Sequence, residues 1–194
     1  MEIYLIRHGE TDWNLEGRVQ GHEDIPLNET GIRQAQACGE ALKAVPLQCV
    51  QTSPLSRARK TAEFIAARQH CPLIVNHSLI ERDFGRISGL TLEERRSFED
   101  SGIQDLAEPW DMLASRAFEA VEELAGLFPQ GTIAVVSHGA WINALLAVLS
   151  DHTVGSGKTW LKNACISLLC RKNEGWKIEF FNITAEEFVK KLSL

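Results

Sequence analysis

Ile3-Tyr4-Leu5-Ile6-Arg7-His8-Gly9 opens the chain, and Thr132-Ile133-Ala134-Val135-Val136-Ser137-His138-Gly139 repeats its form much later. Each is a short apolar run that stops at a histidine and a glycine. An apolar run of about four to eight residues with glycine just beyond suits a buried strand feeding a loop. Between them the periodicity alternates. Apolar residues at Ala35, Cys38, Ala41, Leu42 and Val45 mark a helix, for which the turn at 26–31 and Thr30 supply a start and a cap. A second strand is expected over 47–52. Ser53-Pro54 then reads as an N-cap followed by proline at the first helical position, opening a helix to about His70. A third strand is expected over 72–76. Residues 79–110 are polar and irregular and predict an excursion with short helices. A helix over 110–127 follows from Leu113, Ala117, Val121, Leu124 and Ala125, and a further one over 140–149. Strands over 164–170 and 176–181 flank a turn at Asn173-Glu174-Gly175, and Thr184-Ala185-Glu186-Glu187 has capping-box spacing. Strands separated by helices predict an α/β fold, a three-layer α/β/α sandwich around a mostly parallel sheet. One domain over 1–194 is expected.

Composition bounds the function. The chain has 194 residues, 44% of them hydrophobic and 24% charged, which is ordinary for a globular protein. No run reaches the roughly 18 apolar residues of a membrane helix, and the N-terminus reads as a strand rather than a signal peptide. A net charge of −6 disfavours nucleic acid as a partner. The five cysteines include no C-x-x-C and no zinc-ligand spacing. Cys38, Cys49, Cys165 and Cys170 fall in apolar patterns and read as small buried hydrophobes, with the cytoplasm as the default compartment.

In open α/β sheets, sites form beyond the carboxyl ends of strands. His8 and His138 both stand there, each followed by a glycine that admits close approach to the backbone. Arg7 lies at the end of the first strand, and Arg57 in the first turn of the helix after the second. Two arginines and two histidines at one sheet edge of an acidic protein form a natural pocket for phosphate.

Arg7-His8-Gly9-Glu10-Thr11 with Trp13-Asn14 resembles the signature of the histidine phosphatase superfamily, the phosphoglycerate mutase-like proteins. Four further segments are similar to that family's motifs, in its order. They are 21–31, with Asn28 where threonine is usual, Ser53 to Ala62, Leu79-Ile80-Glu81-Arg82-Asp83-Phe84-Gly85, and Val136-Ser137-His138-Gly139. The resemblance implies the phosphoglycerate mutase-like fold. It makes His8 the nucleophile, Glu81 the general acid/base, and Arg7, Asn14, Arg57 and His138 the ligands of the phosphoryl oxygens. A neutral imidazole is a competent nucleophile, and cationic neighbours push His8 toward that form. Arg7 and Arg57 would also stabilise charge on the transferring group, so neither metal nor cofactor is expected.

Gln20, Gly21 and His22 are candidates for the substrate mouth. Trp13, Trp110 and Trp141 could shape the pocket wall or pack in the core. Glu81 also has a surface ion-pair reading beside Arg82 and Asp83, and Asn14 a turn-capping one. Gly155-Ser156-Gly157-Lys158-Thr159 resembles the end of a P-loop but lacks its first glycine and preceding strand, so it reads as a loop.

The expected activity is phosphomonoester hydrolysis of a small phosphorylated metabolite through a phosphohistidine. The family also contains mutases, which retain the phosphoenzyme in a closed pocket. Only about 50 residues separate Glu81 from the strand at Thr132, which leaves little material for a lid. An α-ribazole phosphatase and a mutase-type phosphotransferase are the enzymatic alternatives. A catalytically silent binder of phosphorylated ligands is the non-enzymatic one. The expected partner is a small phosphorylated substrate, with no nucleic acid and no membrane, and a homodimer stays open.

Overall fold

In the computed structural model, which describes residues 1–173 and 175–192, β1 (Glu2–Arg7) and β4 (Thr132–Ser137) pair in parallel, residue for residue, from Glu2 opposite Thr132 to Arg7 opposite Ser137. Both strands are buried on both faces, as their unbroken apolar runs require. Alternate residues of β1 serve different layers. Ile3 and Leu5 face a core made with α5 (Trp110–Leu127) and α6 (Gly139–Leu149), whereas Tyr4 and Ile6 face one made with α2 (Glu29–Leu42), α3 (Ser56–Gln69) and α7 (Ala185–Leu192). This is the three-layer α/β/α arrangement that the alternation predicted.

The sheet has six strands in the order β3-β2-β4-β1-β5-β6, with β2 at Val50–Thr52, β3 at Leu73–Val75, β5 at Ile166–Lys172 and β6 at Gly175–Ile183. The pairings β1/β4, β4/β2 and β2/β3 are parallel. β5 and β6 run antiparallel on the other side of β1. The excursion contains a 3-10 turn at Gly85–Ile87 and the helix α4 (Leu92–Asp100). Among the described residues no helix is long and apolar enough to cross a membrane. All four cysteines expected in apolar surroundings are buried. Of the turn expected at 173–175, Glu174 lies outside the described residues.

Local starts differ from the sequence expectation where tertiary contacts intervene. The helix after β2 begins at Ser56, not Ser53. Pro54 holds Ser53 extended, and the Ser53 hydroxyl accepts the Leu55 N–H at 3.3 Å and meets His138. The N-cap is Leu55, which has no capping side chain. Instead Asp24 Oδ1, distant in sequence, accepts the Ser56 N–H at 2.6 Å. α2 is capped by Asn28 rather than Thr30. The Asn28 side chain accepts the Gly31 N–H at 2.8 Å and donates to Glu10 Oε1 at 3.0 Å. A short helix, α1 (Asp12–Leu15), capped by Thr11, has no counterpart in the sequence reading, since its four residues include none that is buried. β2 is shorter than expected, although Gln48 and Cys49 still bond to Thr132 and Ala134. Thr184 and Glu187 form the expected box at the start of α7.

The first loop is pressed against α2. A Cβ on Gly31 would stand 2.0 Å from the Glu10 carbonyl oxygen, whereas one on Gly126, within α5, would meet nothing within 4 Å. Gly126→Ala should therefore raise stability by about 0.5–1 kcal/mol, the ordinary helix preference. Gly31→Ala should lower it by more than ~2 kcal/mol despite being the same exchange in a helix. Urea unfolding of both variants checks this, and equal effects at the two positions would contradict the packing.

Candidate active site

The parallel register delivers the site. Because Arg7 and Ser137 are opposite each other, His8 and His138 leave the sheet side by side, with ring centroids 5.1 Å apart. The His8 N–H donates to the Ser137 carbonyl at 3.0 Å. Ser53 follows β2 at the same edge, its N–H donating to Val136 O at 3.0 Å. His8 is 2% exposed and His138 and Arg57 are fully buried. Four of the residues named from sequence, His8, His138, Arg7 and Arg57, thus form one enclosed cationic cluster.

Each is held by backbone oxygens. His8 Nδ1 lies 2.6 Å from the Gly9 carbonyl. A carbonyl only accepts, so Nδ1 carries the proton and Nε2 keeps its lone pair. Arg57 donates to the carbonyls of Glu23 at 2.7 Å and Gly21 at 2.9 Å, and Arg7 to that of Leu161. Gly21 therefore fixes an arginine, beyond any part it has in a substrate mouth. The Nε atoms of Arg7 and Arg57 and Nδ1 of His138 are buried without a partner among the described residues. Buried donors with no acceptor are rare and costly in a folded chain. Here all three belong to the residues packed around His8.

Electrostatics follow from this crowding. Burial first, then Arg57 and Arg7, hold His8 well below the ordinary imidazole range, against a smaller opposing pull from the Gly9 carbonyl. His138 is lowered in the same way, by burial, Arg57, His8 and Arg7. Burial pulls Arg57 down to about 10, which leaves it charged at neutral pH.

Glu81 is 5% exposed, so the surface ion-pair reading is wrong. Its Oε1 accepts N–H bonds from Arg82 at 2.9 Å and Trp141 at 3.0 Å, and its Oε2 one from Ala140 at 3.1 Å. The last two are at the start of α6, directly after His138, and this places the carboxylate at the cluster. Its charge acts on both Arg7 and Arg57. Trp141 is fully buried, so the core reading of that residue holds.

Asn14 sits in a neighbouring network. Its Oδ1 accepts from the Thr11 N–H at 3.2 Å and from Asn163 Nδ2 at 3.0 Å, while Asn163 also reaches the His8 carbonyl at 3.4 Å. The turn-capping reading of Asn14 is thereby met, and no described acceptor takes its Nδ2. Gln20 Oε1 accepts from the Thr11 hydroxyl at 2.9 Å, and its buried Nε2 has no protein partner. His22 is exposed, yet its Nε2 donates to the Glu81 carbonyl at 2.9 Å. Gly9 meets the expectation of close approach, since a Cβ there would lie 2.4 Å from Gly31 O. Gly139 does not, because its nearest contact would be an ordinary 3.5 Å to Arg7 Nε. In the P-loop-like segment Lys158 is bonded to the His152 carbonyl and Thr159 to the Gly155 N–H. Sequence marked Ser53 as a helix cap and motif residue and Asn163 only as part of a familiar segment, and gave neither a place in the site. Their site contacts, Ser53 to His138 and Asn163 to the His8 carbonyl, cross between strands and leave no local pattern.

The fold and this cluster of two histidines and two arginines at the ends of parallel strands define a class. The family model of the histidine phosphatase superfamily, branch 1, matches residues 3–184, and the chain belongs to that superfamily. It is 39% identical over 183 residues to the uncharacterized phosphatase PhoE of Bacillus subtilis (strain 168), covering 94% of this chain and 95% of that one. It is 34% identical over 192 residues to a metal-independent phosphoserine phosphatase of Arabidopsis thaliana, covering 92% and 79%. The structure of a phosphoserine phosphatase of Entamoeba histolytica in complex with 3-phosphoglyceric acid superposes with a TM-score of 0.85 at 29% identity, covering 97% and 98%.

Two buried neutral histidines give stability a defined pH dependence. Unfolded histidine takes up a proton near pH 6.5, whereas His8 and His138 resist it when folded. As pH falls below about 6.5 the unfolded state binds more protons, so stability is present above that value and lost below it. The two together should remove about 2–3 kcal/mol between pH 7.5 and 5.5. His8→Asn should remove roughly half of that loss. Urea unfolding across the range measures both, and a flat profile in the parent would contradict the assignment.

Proposed function

We propose that this chain is a phosphomonoester hydrolase that works through a phosphohistidine on His8. The observation that carries the reading is that Arg7, Arg57 and His138, which surround the His8 imidazole with its free Nε2 lone pair, each keep a buried donor that no described residue takes. Arg7 Nε, Arg57 Nε and His138 Nδ1 take the oxygens of a phosphoryl group, and the two arginines stabilise the negative charge spread over those oxygens. His138 fits this role if its proton is on Nδ1. The Ser53 hydroxyl, which already accepts from Leu55, then gives its own proton to His138 Nε2 across 2.7 Å. Asn14, tied to the His8 carbonyl through Asn163, and Gln20, tied to Thr11, offer two further amide donors.

His8 Nε2 attacks phosphorus in line as the ester P–O bond breaks. The departing alkoxide needs a proton, which Glu81 supplies after taking it from the bound phosphate monoanion. A carboxylate offers about four lone-pair positions, and backbone N–H groups occupy three of those on Glu81. The remaining one faces a single task, first protonating the leaving oxygen and then drawing a proton from the water that attacks phosphorus. The phosphoryl group then leaves as inorganic phosphate and His8 returns to its starting state.

The relatives that act on phosphoserine or hold 3-phosphoglyceric acid support small phosphorylated metabolites as the substrate class. O-phosphoserine and 3-phosphoglycerate are the first compounds to screen. We further infer a single domain, because both apolar cores are built on one six-stranded sheet.

Hydrolysis of p-nitrophenyl phosphate with EDTA present tests the reading. Activity should survive EDTA and fall to background in His8→Ala, and protein-bound label from a phosphorylated substrate that is lost in acid but retained in base should mark the phosphohistidine in the parent. Undiminished turnover in His8→Ala would overturn the mechanism.

A further inference from the structure

Glu81 stands on an irregular segment with no ladder to hold it, yet each carbonyl from Ser78 to Glu81 is bonded by a side chain from elsewhere. Trp141 Nε1 donates to Ser78 O at 2.8 Å, and the Ser137 hydroxyl to Leu79 O at 2.8 Å. Arg116, on the middle of α5, supplies most of the rest. Its Nη1 donates to Ser78 O at 3.0 Å and to Ile80 O at 2.8 Å, and its Nη2 to Glu81 O at 3.3 Å. The remaining donors go to Glu108, with Nε to Oε1 at 3.1 Å and Nη2 to Oε2 at 2.9 Å. A guanidinium has five N–H donors in a fixed plane, and here five contacts use them.

The link to the carboxylate is one peptide unit. Arg116 and His22 bond its carbonyl end, Glu81 O, while its other end, the Arg82 N–H, donates to Glu81 Oε1. A peptide is planar and stiff, so fixing the carbonyl fixes the direction of the N–H. Glu108 holds the other side of the same turn. Its backbone N–H donates to Asp83 O at 2.8 Å, and its carbonyl accepts from Arg82 Nε at 2.8 Å. The pair is only partly exposed, with side chains 25% and 17% accessible, so it is less screened than the other ion pairs on the surface.

We propose that Arg116, braced by Glu108, is a positioning residue for the reaction, one that aims the Glu81 carboxylate at the leaving oxygen. This rests on the acid/base reading of Glu81. It predicts a specific kinetic pattern rather than general damage. A leaving group that needs no proton should be spared, and one that needs a proton should not.

The test compares kcat/KM for β-glycerophosphate, whose alkoxide must be protonated, with kcat/KM for p-nitrophenyl phosphate, whose phenolate leaves unaided. In Glu81→Gln the ratio of the first to the second should fall by about 10²-fold, the low end for loss of a general acid. In Arg116→Met it should fall by roughly 10-fold or more, as misplacement of a catalytic group does. Arg116→Lys keeps the charge for folding but has three donors instead of five, and should lower the ratio in the same sense. Adding Arg116→Met to Glu81→Gln should lower the ratio no further, because the group it aims is already gone. Equal loss on both substrates in Arg116→Met and Arg116→Lys would overturn the proposal and leave a merely structural ion pair, as would multiplied losses in the double variant. Equal loss on both substrates in Glu81→Gln itself would instead sink the acid/base reading, and this inference with it.

Discussion

The in-register parallel ladder of β1 and β4 is the constraint on which the site depends. Had the two strands been offset by one residue, the side chains of one would have changed faces. His8 and His138 would then no longer emerge side by side. The register is enforced from below by burial on both faces, with Ile3 and Leu5 in one core and Tyr4 and Ile6 in the other. Catalytic geometry is thus a by-product of where apolar residues can be placed. The loop after β1 is then fixed by the contact of Gly9 and Gly31, where backbone meets backbone without side chains between.

Against this scaffold the site carries an electrostatic burden. Two arginines and two histidines are gathered in a space largely closed to water, where unpaired charge is expensive. The histidines meet that expense by staying neutral. The arginines keep their charge and spend part of their donors on the carbonyls of Gly21, Glu23 and Leu161. Those carbonyls belong to loops rather than strands, so the loops are held by the arginines as much as the arginines by them. What remains, an unpartnered Nε on each arginine and Nδ1 on His138, is suited to a dianion with several oxygens. In the proposed mechanism, the cations that would bind phosphate are also those that keep His8 neutral.

The acidic side of the site is built differently. Glu81 is held almost wholly by backbone N–H groups, two of them from the start of α6. Because α6 begins directly after His138, the helix that follows the second histidine also receives the carboxylate. The two halves of the chemistry therefore meet at one helix end. The segment carrying Glu81 is tied in turn to α5 through Arg116, so the polar excursion, which contributes little apolar surface, is kept in place by hydrogen bonds.

The order of strands and helices, the buried faces and the ends at which His8 and His138 stand were all legible in the sequence. Periodicity and short apolar runs are local properties, and the ends of β1 and β4 each coincided with a histidine and a glycine. The α5 boundaries at Trp110 and Leu127 were legible for the same reason, as one amphipathic stripe runs their full length. The starts of α2 and α3 were not, because Asn28 caps α2, Asp24 caps α3 from another loop and Ser53 is drawn away to His138. Nor was the burial of Glu81, whose neighbours Arg82 and Asp83 suggested a surface. Its three partners are backbone amides, which every residue possesses and no sequence pattern distinguishes. Sequence by itself determined which chemical groups this protein owns and which faces of its elements must be buried. Only the tertiary structure decided which of those groups are desolvated, which donors are left without partners and which carboxylate reaches the cluster, since these depend on contacts between segments far apart in the chain.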